Sequence, residues 1–153
     1  MTRVIGLGAE DRGDDVAGLL VARLVRAAAP PGADVHECAG DAGALLDLLE
    51  GADRVVLVDA ARGGPPGTVE RLAPDAVRPA PARSTHGLGL ADAIGLAAEL
   101  GVLTGAVSLY VVHGLSFEPG PVTPEVAAGA RTAAELVLRD ELGIEVGGRP
   151  RPR

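Results

Sequence analysis

The sequence contains no lysine, asparagine, glutamine or tryptophan, and it has one phenylalanine, one tyrosine and one cysteine among 153 residues. The absence of lysine excludes Schiff-base formation by a lysine and a lysine nucleophile. A net charge of −7 with 1% aromatic residues is not typical of nucleic-acid binders, which carry basic stripes or aromatic stacking platforms. The composition therefore argues against a nucleic-acid partner, and a basic protein surface would fit it better.

The single cysteine, Cys38, excludes an intramolecular disulfide and a metal site built from several thiolates. We expect Cys38 to be a small buried hydrophobic residue in a protein of a reducing compartment. The chain opens directly on a strand-like run without a signal peptide, and no apolar run is long enough to span a bilayer. These features predict a cytoplasmic protein that does not contact membranes, and we expect it to be a monomer.

Hydrophobic residues make up 47% of the chain, nearly all of them aliphatic. Strand-like runs at 3–7, 34–38, 54–59, 68–72 and 106–112 alternate with helical patterns over about 14–26, 41–50, 88–100 and 124–142, and a proline-rich stretch at 74–83 reads as an exposed loop. This alternation predicts an α/β fold: a single three-layer domain with a mostly parallel twisted sheet, helices on both faces and one antiparallel edge strand at 68–72. We expect the domain to span residues 1–143 and residues 144–153 to form a flexible tail.

The first loop, residues 6–18, reads GLGAEDRGDDVAG and joins the first strand to the first helix. Its glycines Gly6, Gly8 and Gly13 allow sharp backbone turns. We expect Asp14 to be the N-cap of the helix and Asp15 to lie in its first turn. Because ligands bind beyond the carboxyl ends of strands in open α/β sheets, this loop marks the predicted site.

Three polar residues follow strands or precede helices in the predicted fold: Asp15, Asp59 and His86. Each comes from a different strand-to-helix connection, which is how an open α/β sheet assembles a site. Two carboxylates and an imidazole would make a metal site of oxygen and nitrogen donors, with positions left open for water or substrate. The sequence therefore predicts that these three side chains meet around one cation.

Each of these residues also has a purely structural interpretation, which the sequence leaves open. Asp15 would stabilise a helix N-terminus, Asp59 would cap the loop that follows it, and His86 would lie in a helix-capping segment beside Ser84 and Thr85. Of the other two histidines, we expect His113, at the end of an apolar strand, in the core and His36 in solvent.

Other catalytic patterns are incomplete in this chain. Gly6 and Gly8 begin a dinucleotide-binding fingerprint, but Asp11 occupies the third glycine position and would repel a pyrophosphate. There is no lysine for a phosphate-binding loop, and Ser108 and Ser116 lack the flanking glycines of a nucleophile elbow. A nucleotide-binding α/β protein is therefore only a third hypothesis.

Three motifs together resemble the hydrogenase maturation endopeptidases, which remove the C-terminal extension from the large subunit of nickel–iron hydrogenase. They are GLGAEDRGDDVAG at 6–18, VLVDA at 56–60 and STHGLGLAD at 84–92, with weaker matches at 66–69 (PGTV) and 122–126 (VTPEV). The motifs occur in the family's order and cover the chain up to about residue 142.

The resemblance implies that Asp15, Asp59 and His86 form a nickel-recognition site and carry the peptidase activity. It also implies that nickel is not a resident cofactor but arrives in the hydrogenase large-subunit precursor, so that cleavage follows metal insertion. Either the metal or a carboxylate base would activate the attacking water. The alternative function is a non-catalytic accessory protein that binds the metal or the precursor with the same pocket.

Two departures from the family pattern affect the same region. The family usually has asparagine where this chain has Ala9, so a side-chain amide that could brace the first loop is missing. It also often has an acid where this chain has Cys38, with Asp41 three residues further on. These differences predict an altered substrate or a homologue that binds without cutting.

Overall fold

A computed structural model describes residues 1–39, 41–72, 90–103 and 105–145, with the side chains of residues 90–93 left out. In chain order the elements are β1 (Thr2–Leu7), α1 (Ala17–Ala28), β2 (Asp34–Cys38), α2 (Ala42–Leu49), β3 (Arg54–Ala61), β4 (Val69–Leu72), α3 (Leu90–Glu99), β5 (Ala106–His113) and α4 (Pro124–Leu136). A 3₁₀ turn at Gly13–Val16 precedes α1, and a π-helical turn at Val137–Glu141 follows α4.

The strands form one sheet in the order β2-β1-β3-β5-β4. The first four strands are parallel, and β4 pairs antiparallel with β5 at the edge. This arrangement confirms the predicted fold class, including its antiparallel edge strand. The carboxyl ends of β1, β2, β3 and β5 lie along one side of the sheet, which we call the carboxyl edge.

Helices cover both faces of the sheet and bury two aliphatic cores. On one face α1 and α4 pack over a core that includes Val4, Val21, Val56, Val58, Tyr110, Val112, Val126 and Ala130. On the other face α2 and α3 pack over Ile5, Leu45, Leu49, Leu57, Ile94, Ala97, Leu109 and Val111. Since β-branched and leucine side chains alternate between these faces along each strand, the central strands read as continuous hydrophobic runs.

Helix α1 approaches the sheet at a contact between backbones. A Cβ atom at Gly18 would lie 2.1 Å from the Leu7 carbonyl oxygen and 2.4 Å from that of Val58. A Cβ at Gly6 would lie 2.2 Å from the Gly18 carbonyl oxygen. Gly6 is therefore required for close packing inside a strand rather than for the turn that the sequence suggested.

The structure changes the predicted start of the first helix. Asp14 is not its N-cap, because α1 begins at Ala17 after the 3₁₀ turn and has no side-chain cap. The second helix begins as predicted at Asp41, whose carboxylate accepts the Gly43 N–H at 2.9 Å. Strand β3 continues to Ala61, two residues beyond the predicted end, because it stays paired with β5.

Several predictions fall at the margins of the described chain. The loop at 74–83 and the first residues of the predicted helix at 88–100 lie outside the described residues. Ile144 packs against the α1–α4 core and donates its N–H to the Leu138 carbonyl at 2.8 Å, while residues 146–153 are outside the description. No helix in the described part of the chain is long and apolar enough to cross a bilayer.

A buried carboxylate joins the amino end of the sheet to the last helical turn. The Glu141 side chain is 1% exposed and accepts hydrogen bonds from Arg54, from Arg71 at 3.2 Å and from the Tyr110 hydroxyl at 2.7 Å. Arg71 also donates to Ser108 at 2.9 Å. Burial, together with the bond to Glu141, raises the pKa of Tyr110 to about 12. Glu141 thus links β3, β4 and β5 to the C-terminal turn.

We expect the substitution Glu141→Gln to destabilise the fold by about 2–3 kcal/mol, because breaking a buried charged network leaves its partners uncompensated, although the two arginines keep part of their hydration. Urea denaturation monitored by circular dichroism would measure the loss. The control is Glu135→Gln on the exposed side of α4, which should change stability by less than about 0.5 kcal/mol. Equal effects of the two substitutions would contradict the assigned role of Glu141.

Candidate functional site

Asp59 lies near the end of β3 at the carboxyl edge. It pairs in register with Val111 of β5 and lies two residues after Leu57 in β3. It therefore shares with Leu57 the sheet face that α2 and α3 cover. The residue is partly exposed, and its carboxylate accepts the Ala60 N–H at 2.8 Å. This local bond resembles the capping role considered for Asp59, but it satisfies only one of the carboxylate's acceptor positions.

Asp15 lies in the 3₁₀ turn between β1 and α1, and it is also partly exposed. Its N–H donates to the Arg12 carbonyl at 3.2 Å. Among the described residues its carboxylate has no hydrogen-bond or ion-pair partner, but its negative charge acts on Asp59. Two of the three predicted site residues therefore lie at one edge of the sheet, where the charge of Asp15 contributes to raising the pKa of Asp59.

The pKa of Asp59 is shifted toward neutral pH. Burial raises the pKa of Asp59 to about 7; the Ala60 N–H opposes this shift, and the charge of Asp15 adds to it. A carboxylate with a pKa near 7 can gain or lose a proton near neutral pH, which suits a general base. A cation placed between the two acids would relieve their repulsion and favour the ionised form of Asp59.

The third predicted ligand, His86, lies outside the described residues. Within the described ranges no group of three or more His, Cys, Asp or Glu side chains is arranged to hold a metal ion. The two carboxylates are thus the described part of the predicted constellation, and the place of the imidazole stays a prediction. Oxygen donors of this kind suit hard or borderline cations.

Asp14 is a buried residue of the first loop whose role the sequence did not reveal. It is fully buried, and its carboxylate accepts the N–H groups of Leu115 at 2.7 Å, Ser116 at 3.1 Å and Thr123 at 2.8 Å, and the Thr123 hydroxyl at 2.9 Å. Burial alone would raise the pKa of Asp14, but these four hydrogen bonds lower it below its usual value. Asp14 is therefore an ionised residue that joins the first loop to residues 115–123.

The remaining residues considered from the sequence have structural surroundings. His113 is buried as predicted; its Nδ1 accepts the Gly64 N–H at 3.1 Å, and its Nε2 lies 3.2 Å from Glu70 without the alignment of a hydrogen bond. His36, expected in solvent, is partly exposed and lies beside a neighbouring carboxylate. Cys38 is buried as predicted.

The loops that follow β3 and β5 at the carboxyl edge also carry exposed groups. The Arg62 guanidinium lies over the Phe117 ring, 4.4 Å from its centroid, a distance typical of a cation–π contact. Leu115 is 65% exposed although its N–H is bound to Asp14. The carboxyl edge therefore carries cationic and apolar side chains as well as the two acids.

Comparison with known proteins gives a consistent picture. A family model described as hydrogenase maturation protease matches residues 19–140. No curated protein sequence matches the chain significantly. The fold is similar to that of the [NiFe] hydrogenase maturation protease HybD from Thermococcus kodakarensis, at 26% identity and a TM-score of 0.74, over 90% of this chain and 97% of that one.

Two further solved structures agree with this. The hydrogenase maturating endopeptidase HybD from E. coli is 28% identical, with a TM-score of 0.72 and 94% of each chain covered. The [NiFe] hydrogenase maturation protease HycI from Thermococcus kodakarensis is 26% identical, with a TM-score of 0.71 over 89% of this chain and 88% of that one. The similarity therefore extends over nearly the whole chain.

We expect Asp59→Asn to stabilise the metal-free protein at pH 8. The pKa of Asp59 is higher in the folded state, at about 7, than in an unfolded chain, so folded Asp59 binds a proton more readily. Its contribution to stability is complete below pH 4 and is lost as the pH rises to about 7. Removing the charge should therefore add about 1–3 kcal/mol at pH 8 and little at pH 4.

Urea denaturation at the two pH values would measure this difference. The control is Asp47→Asn, on the exposed side of α2. Its effect on the free energy of unfolding should be the same at pH 4 and pH 8. A gain for Asp59→Asn that does not depend on pH would contradict the desolvation of the Asp59 carboxylate.

Proposed function

The chain belongs to the hydrogenase maturation protease family, and from this premise we propose that it removes the C-terminal extension of a nickel–iron hydrogenase large-subunit precursor after nickel has been inserted. The observation that carries the proposal is the coupled pair of acids, Asp15 and Asp59, at the carboxyl edge. Both belong to motifs in which this chain resembles the family, at 6–18 and 56–60. A peptidase that waits for metal insertion needs a group that senses the metal.

We propose that Asp15, Asp59 and His86 together bind the nickel of the precursor. Oxygen and nitrogen donors alone would leave the nickel shell incomplete, and thiolates of the precursor would complete it. Nickel is then part of the substrate, and the enzyme holds none between reaction cycles. The like-charged acids support this proposal, because a metal-free site keeps Asp59 partly protonated at neutral pH, whereas a docked cation makes ionisation favourable.

Binding the nickel would also place the scissile peptide bond beside the acids. The attacking water is activated by the nickel or by a carboxylate acting as general base. The pKa of Asp59, about 7, suits the second role when the carboxylate is not bound to the metal. Arg62 and Leu115 lie on the same side of the molecule and offer contacts for an extended peptide.

The partner in this reaction is the precursor, and we propose that it is processed in the cytoplasm by a monomeric enzyme. Cys38, buried at the end of β2, fits a reducing compartment. The family usually has asparagine at the position of Ala9 and often an acid at that of Cys38. This chain therefore lacks two polar side chains at this edge. For this reason an accessory protein that binds the precursor without cutting it remains the second candidate, and the experiment below separates the two.

We expect Asp59→Ala and Asp15→Ala each to lower the rate of precursor processing at least about 1,000-fold, within the range for loss of an essential acid–base or charge-stabilising group. Purified protein would be incubated with nickel-loaded precursor, and mass spectrometry would follow the loss of mass at the precursor C-terminus. Asp47→Ala should process normally. Precursor without nickel should remain intact.

Each result has a definite meaning. Full processing by Asp59→Ala would refute the assignment of Asp59. Binding of the loaded precursor by the unsubstituted protein, with no loss of mass, would identify an accessory protein instead of a peptidase.

A further inference from the structure

The turn that carries Asp15 is tied to the loop at 115–123, which follows β5. Backbone bonds run from the Gly13 N–H to the Gly120 carbonyl at 3.0 Å, from the Asp14 N–H to the Ser116 carbonyl at 2.8 Å, and from the Gly120 N–H to the Asp11 carbonyl at 3.1 Å. The four hydrogen bonds to the Asp14 carboxylate cross the same junction. The two loops therefore form one bonded unit at the carboxyl edge.

Space at this junction is too small for either loop to shift alone. Gly13 has a φ of 59°, and a Cβ there would lie 2.6 Å from the Ser116 carbonyl oxygen. A Cβ at Gly114 would lie 2.8 Å from the Asp14 Cβ. Since real Cβ atoms do not approach other atoms so closely, the backbone of the turn is confined on the side of the 115–123 loop.

Asp15 depends on this confinement. Among the described residues its carboxylate has no hydrogen-bond or ion-pair partner. No side-chain contact within the described ranges therefore fixes its position. The position of Asp15 relative to Asp59 is set by the backbone of the turn, and Asp14 is the neighbouring residue in that turn.

We propose that Asp14 is a positioning residue of the site: its bonds to the 115–123 loop hold the turn in place, so that Asp15 stays at the same edge of the sheet as Asp59. The consequence for peptide cleavage rests on the proposed function. The geometric statement, that Asp14 holds Asp15, does not.

Only an ionised acid fits this role. All four partners of Asp14 are donors, and a carboxylate has acceptor oxygens on both sides. Asparagine would turn an amide donor toward other donors, and alanine would leave all four donors unbound inside the protein. Since substitution of Asp14 itself puts the whole fold at risk, Thr123 is the better place for a test.

The test compares three substitutions. Thr123→Val removes one hydroxyl donor to Asp14 and keeps the backbone N–H bond, and Thr123→Ser restores the hydroxyl. The Thr123 side chain does not cap α4, so neither change removes a helix cap. Glu141→Gln weakens the fold at the amino end of the sheet, far along β3 from Asp59, and controls for lost stability.

Amide hydrogen exchange of the metal-free protein measures the geometric statement. In Thr123→Val we expect exchange at the amides of Asp15 and Ser116 to be about 10-fold faster, with no change at Val56 in the core. Thr123→Ser should match the unsubstituted protein, and Glu141→Gln should not accelerate Asp15 selectively. Unchanged exchange at Asp15 in Thr123→Val would overturn the proposal.

Processing of nickel-loaded precursor measures the consequence. We expect kcat to fall about 10-fold in Thr123→Val with KM within twofold, and to recover in Thr123→Ser. Faster exchange with an unchanged kcat, or an equal loss of kcat in Glu141→Gln, would overturn the positioning role. If the unsubstituted protein cleaves no precursor, the proposed function fails, and the exchange data alone decide whether Asp14 holds Asp15.

Discussion

The position of the site depends on how closely α1 approaches the ends of β1 and β3. Gly18 lies so near the carbonyl oxygens of Leu7 and Val58 that any side chain would overlap them. Asp15 precedes this contact in the chain, and Asp59 directly follows Val58. The same contact therefore brings the two acids to one edge of the sheet, although 43 residues lie between them in the sequence. The close contact of Gly18 with β1 and β3 thus determines both the packing of α1 on the sheet and the position of the two acids.

The pKa values of two acids at this edge shift in opposite directions. Asp14 accepts four hydrogen bonds, which hold its charge and lower its pKa. Burial raises the pKa of Asp59 to about 7 against the opposing effect of its single N–H donor, and the charge of Asp15 adds to the rise. A satisfied carboxylate stabilises the fold, whereas an unsatisfied one remains available to a ligand. The structure gives up some stability at Asp59, and this is a common property of functional sites.

The sequence predicted the features that depend on short stretches of chain. The apolar run that ends at Asp59 indicated both a buried strand and a candidate ligand, and the alternation of elements gave the fold class. The sequence could not reveal the role of Asp14, because its partner Thr123 is 109 residues away. An acid before a helix usually acts as a local cap. The predicted role of Gly6 in a turn was wrong for a similar reason. Its contact with α1 does not change the pattern of residues along β1.

The pairing of charges supports an outside cation at the site. All 14 basic side chains other than histidine are arginines, and several are bound elsewhere: Arg54 and Arg71 to Glu141, Arg23 to Glu37, and Arg62 to the Phe117 ring. No ion pair within the described ranges includes Asp15 or Asp59. Within the described ranges, arginines therefore pair with Glu141 at the amino end of the sheet and with Glu10 and Glu37 near its carboxyl edge, but not with Asp15 or Asp59. A positive centre brought by the substrate would complete them.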